Sequence, residues 1–79
     1  ARDRTAILGV RENAGVGLRR WARESEPDPG RPGWDRVTVS FADSGWYADY
    51  LASFAPDVIV LDPPDLREAV IRRLKGALA

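Results

Sequence analysis

An α+β domain, one sheet with helices packed on it, is the fold class that three observations predict. Val37, Val39 and Phe41 alternate with Arg36, Thr38 and Ser40, the period-two pattern of a strand with one buried face. Trp46, Tyr47, Tyr50, Leu51 and Phe54 recur at helical spacing and, at about 100° per residue, fill one arc of roughly 140°. Asp57 to Leu61 (DVIVL) is an almost wholly apolar run that Pro63 and Pro64 end, and a second helical pattern starts at Asp65.

Taken in order, residues 1–4 are polar and read as a linker or frayed tail, with a single domain over residues 5–79. Thr5 to Val10 is a first strand, Ala6, Leu8 and Val10 on one face and Ile7 and Gly9 on the other. Glu12 to Ser25 reads as a helix whose arc gathers Ala14, Leu18, Trp21, Ala22 and Ser25, with Arg19, Arg20 and Arg23 opposite as a solvated face. Gly15 and Gly17 weaken its first turn by about 1 kcal/mol each relative to Ala. Glu26 to Gly33 (EPDPGRPG) is a loop, with room for a short edge strand over Glu24 to Glu26. Trp34 opens the main central strand. Asp43 or Ser44 caps the next helix, which Pro56 closes because the residue before a proline leaves the α region. In the last helix Asp65 lies in the first turn and Arg72, Arg73 and Lys75 near the end, as the helix dipole favours. The resulting order is ferredoxin-like βαββαβ with an additional C-terminal helix, the second strand weak or absent.

That architecture leaves one sheet face open. Val58 and Val60 face the helices, so Ile59 and Leu61 join Ile7 on the other side. These three aliphatics form a candidate interface. Either the last helix folds over them or a partner does.

Composition narrows the chemistry. The 79 residues suit one domain with a small core. No Cys means no disulfide and no thiolate metal site, and no His removes the commonest general base and transition-metal ligand. Twelve basic and twelve acidic residues cancel, which leaves no net field for nucleic acid or an anionic membrane. No apolar run has the length of a membrane span. The absence of any Met suggests a segment of a longer protein. Nucleophile, base and metal ligands are missing as a constellation, so catalytic, cofactor-binding and metal residues are all expected to be none.

Individual motifs read structurally. Gly15-Val16-Gly17 lacks the rest of a phosphate loop. Asn13 reads as a helix cap. Asp43, Asp57, Asp62 and Asp65 each sit at an element boundary, where Asp serves caps and turns. Trp21, Trp46, Tyr47, Tyr50 and Phe54 fall on apolar arcs and read as core, whereas the position of Trp34 does not force it inward. Arg73 falls inside the apolar arc of the last helix, beside Ala69, Val70 and Leu74. It must snorkel, pair with a carboxylate or meet a ligand.

The stretches WDRVTVSFAD, LASFAPD and VIVLDPPDLREAVIRRL resemble the C-terminal extension, called WCX, of WYL-domain transcription regulators of the proteasome accessory factor B and C type. The matching positions are Trp34, Asp35, Val39, Leu51, Ala52, Phe54, Asp57, Val58, Val60, Leu61, Pro63, Leu66, Arg67 and Val70. RENAGVGLRRWA also looks like the first helix of such tails, and the chain departs at Ala55, where the family usually has Gly. The resemblance implies a non-enzymatic regulatory domain of a bacterial, cytoplasmic regulator. It would aid dimerisation, domain arrangement and the response to a ligand sensed by the WYL domain, with DNA bound only through the parent's helix-turn-helix. Arg67, with Arg73, is the candidate structural or ligand-facing arginine, and Asp57, Asp62 or Asp65 its expected partner. A ferredoxin-like sensor binding a small metabolite at a dimer interface is the alternative.

Overall fold

Alternating residues build the centre of the sheet. The computed structural model describes residues 4–78, so residues 1–3 of the expected tail lie outside it. Its elements are β1 (Arg4–Arg11), α1 (Val16–Arg20), β2 (Glu24–Pro27), β3 (Trp34–Phe41), α2 (Ser44–Ala52), β4 (Val58–Asp62) and α3 (Pro64–Leu78). The sheet has the order β2-β3-β1-β4 with every neighbouring pair antiparallel, the ferredoxin-like topology extended by a C-terminal helix.

The core follows the predicted faces. Ala6, Leu8 and Val10 of β1, Val37, Val39 and Phe41 of β3, and Val58 and Val60 of β4 are buried together with Leu18, Tyr47, Ala48, Leu51, Leu66 and Val70 from the helices. Each large aliphatic so enclosed contributes roughly 1.5–3 kcal/mol. Asp43 caps α2 by accepting from the Trp46 N–H at 3.1 Å. The edge strand β2 is present, paired with β3 from Glu24 opposite Thr38 to Pro27 opposite Asp35, and wholly exposed.

The first helix departs most from expectation. It covers five residues rather than the stretch from Glu12 to Ser25. Asn13 and Gly15 both take left-handed φ of 66°, which no continuing helix tolerates. Asn13 is therefore a turn residue, and Gly15 is the N-cap. At the other end, Arg23 N–H donates to the Thr38 carbonyl at 2.8 Å, so the sheet takes the segment that periodicity assigned to the helix. Trp21 is consequently 78% exposed, and Trp46 is 65% exposed, against the reading of both as core.

Arg19 is likewise not on a solvated face. It donates to the Ala14 and Arg11 carbonyls at 2.7 and 3.0 Å and to Asp35 Oδ2 at 2.8 Å, tying the β1–α1 turn to β3. Ala55 has no left-handed φ.

Candidate functional site

The sheet has one face without a helix. α3 lies beside α2 and, among the strands, packs chiefly along β4. Its Leu66 and Val70 enter the same core as Leu51 and Val58, so it does not fold over Ile7. Arg73 fixes this placement by donating from Nε to Asp49 and from Nη2 to the Gly45 carbonyl at 3.1 Å. The apolar-arc position of Arg73 is thus explained by a pair across the α2–α3 contact.

On the uncovered face the register sets Ile7 opposite Thr38, Gly9 opposite Arg36 and Ile59, and Arg11 opposite Trp34. Gly9 has a steric role here: a Cβ on it would stand 2.9 Å from Ile59 Cγ1 and 3.7 Å from Trp34 Cε3. Ile59 and Trp34 therefore close over the glycine, and both are half-buried, as is Ile7. The Arg11 guanidinium lies 4.7 Å from the Trp34 ring centroid and its Nε donates to Asp57 Oδ1 at 3.0 Å. Leu61 sits differently from the pattern expected. The register shifts between Ile7 and Leu8, so Asp62 rather than Leu61 stands opposite Ile7. Leu61 instead lines a groove with Ile59, Arg67, Ile71 and Leu74.

Arg67 is exposed, and no described ion pair includes it. Two of its expected partners are engaged elsewhere: Asp57 by Arg11, and Asp65 by Nη1 and Nη2 of Arg4 at 2.8 and 2.9 Å. Arg4 holds the Asp65 carboxyl below its ordinary range, chiefly by hydrogen bonding.

A second exposed feature lies between α1 and α2. Because α1 is short, Trp21 and Trp46 flank a groove of about 470 Å³ floored by Leu18, Val39, Tyr47 and Tyr50. Trp46 stacks on Tyr50 at 5.5 Å, and Phe41 on Tyr47 at 5.3 Å. Burial, and then the neighbouring Tyr50, push the Tyr47 hydroxyl up to about 12. The sequence signal that could have found this groove is the pair Asn13 and Gly15, both tolerant of left-handed φ, which cut short the helix carrying Trp21.

Asp28 was not singled out from the sequence. It is 7% exposed, its Oδ1 accepts from the Gly30 N–H at 2.9 Å, and Arg36 approaches within 3.8 Å. This turn fixes the loop before Trp34. Among the described residues no cluster of three acidic or other ligating side chains could hold a metal ion, and no helix is long and apolar enough to cross a membrane.

Comparison with known proteins follows the same lines. A family model described as the WCX domain matches residues 2–78. A solved structure of proteasome accessory factor B/C (PafBC) of Arthrobacter aurescens superposes with a TM-score of 0.93 at 38% sequence identity. That match covers 96% of this chain and 12% of the other, so this chain corresponds to a small part of the length of PafBC. No curated protein matches.

Proposed function

The chain belongs to the WCX domain family, and from that premise we propose that it is the C-terminal regulatory domain of a bacterial, cytoplasmic helix-turn-helix regulator of the WYL type. In this reading it catalyses nothing. It arranges the parent's domains, assists dimerisation and relays the response to a ligand sensed by the WYL domain, while DNA is bound through the parent. The observation that carries the reading is the PafBC likeness over 96% of the chain at 38% identity. The uncovered sheet face supports it, because Ile7, Ile59 and Trp34 present apolar surface that no described helix covers.

The test is made in the parent regulator with Ile7→Ser and Trp34→Ser together. Neither side chain belongs to the enclosed core, so the domain should remain folded by circular dichroism. The regulator should then run smaller on sizing, or lose ligand-dependent DNA binding. Unaltered assembly and response in a folded variant would falsify the role given to this face. A small metabolite that stabilises the unassembled chain would favour the sensor alternative instead.

A further inference from the structure

The two edges of the sheet are built differently. β2, at one edge, is four residues long and carries Glu24, Glu26 and Pro27, all exposed. Short length, charge and proline keep an edge strand from recruiting another. β4, at the other edge, reads Val58, Ile59, Val60, Leu61 before its first charge at Asp62. The register irregularity lies between Val60 and Asp62 and leaves the stretch before it regular.

The free hydrogen-bonding groups of β4 can be assigned. Arg11 N–H donates to the Asp57 carbonyl at 2.8 Å. Bonded pairs alternate along an antiparallel ladder, so Ile59 bonds inward to Gly9, while the N–H and C=O of Val58 and Val60 point away from β1. Among the described residues neither has a backbone partner beyond the ladder.

Beside this edge runs a groove of about 330 Å³. One wall is the α3 stripe Arg67, Val70, Ile71 and Leu74, at the spacing of a single helix face. Ile71 is 40% exposed there. The charged groups lining it are Arg31 and Arg67, and no described ion pair includes either.

We propose that β4 accepts an extended segment of another polypeptide as an additional strand. Main-chain bonds form to Val58 and Val60, alternate apolar side chains rest against Ile71 and Leu74, and an acidic residue meets Arg67 or Arg31. A second copy of this chain is the poorer occupant, because pairing two β4 edges gathers four unpaired arginines around one seam. This surface shares Ile59 with the uncovered face but leaves out Ile7 and Trp34, and it does not depend on the regulatory role.

The experiment selects peptides from a random phage-displayed library on the immobilised 79-residue chain. Enriched sequences should alternate apolar residues and carry Asp or Glu. Such a peptide, titrated into isotope-labelled chain, should shift and slow the exchange of the Val58 and Val60 amides. Arg67→Glu should weaken it roughly three- to tenfold with the fold intact, and Arg31→Glu gives a second reading if that variant does not fold. The proposal is overturned by the absence of enrichment, by shifts centred on Trp21 and Trp46, by affinities indifferent to both substitutions, or by self-association that itself protects Val58 and Val60.

Discussion

Replacing Arg19 by Ala should be among the most damaging single changes outside the apolar core. The guanidinium makes three hydrogen bonds, to the carbonyls of Ala14 and Arg11 and to Asp35 Oδ2. Its side chain is 25% and that of Asp35 21% exposed, so water can only partly replace what is lost. Charge-assisted bonds of this kind contribute about 1.5–3 kcal/mol each when enclosed, and roughly 1 each after allowance for residual solvent. The turn they hold has few other ties, because α1 is too short to supply a ladder of its own. A loss of about 2–3 kcal/mol follows, against a total stability on the order of 4–12 kcal/mol for a chain of this length. That corresponds to a fall of roughly 10–20 °C in Tm. Urea unfolding followed by circular dichroism measures it, and the slope with denaturant should be unchanged. Arg19→Lys keeps at best the contact with Asp35, since an ammonium cannot span all three acceptors, and should recover about a third of the loss. A change below about 0.5 kcal/mol for Ala, or full recovery with Lys, would refute the reasoning.

Gly15→Ala should destabilise the chain by about 2 kcal/mol or more in thermal melts, since φ is +66° and the new Cβ would meet Val10 Cγ1 at 2.8 Å. Gly17→Ala should instead stabilise by about 0.5–1 kcal/mol, because Tyr50 Oη at 3.5 Å is the nearest neighbour of its Cβ. Arg73→Met should cost about 1 kcal/mol by releasing Asp49 and the Gly45 carbonyl, and a double-mutant cycle with Asp49→Asn reads the coupling. The Tyr47 proton is held up to about 12 in the folded chain, against about 10 unfolded. The contribution of this group to stability is therefore complete below about pH 10 and declines as pH rises toward 12; alkaline unfolding should set in later in Tyr47→Phe, and phenolate absorbance resolves the late-titrating group.

Period-two alternation made β1 and β3 legible, the apolar run ended by Pro63 and Pro64 did so for β4, and helical arcs did so for α2 and α3, although Trp46 on the α2 arc is exposed. The same method overextended the first helix. Ala14, Leu18, Trp21, Ala22 and Ser25 do keep helical spacing, but left-handed φ at Asn13 and Gly15 and the pairing of β2 with β3 outweigh it. Trp21 and Arg19 were misplaced for that one reason, since both had been positioned on a helix longer than the real one. Ile7 and Ile59 were assigned to the correct face. Leu61 was displaced by a register shift that alternation cannot register. Which strand lies at the edge of a sheet is a property of topology, so the open side of β4 had no local signature.

The exposure of β2 also divides the domain by cooperativity. β2 is wholly exposed and pairs with β3 alone, whereas β1 is flanked by strands on both sides and lies beneath buried helix residues. Opening of β2 breaks few enclosed contacts, and it leaves the unit of β1, β3, β4 and the helices, with Leu18 of α1 in its core, intact. Native-state amide exchange should accordingly separate into two tiers. A fast, denaturant-insensitive tier belongs to the β2 amides, and a slow tier in β1 reports global unfolding. Thermal melts see only the second tier, so the β2 edge can loosen at temperatures where the transition has not begun.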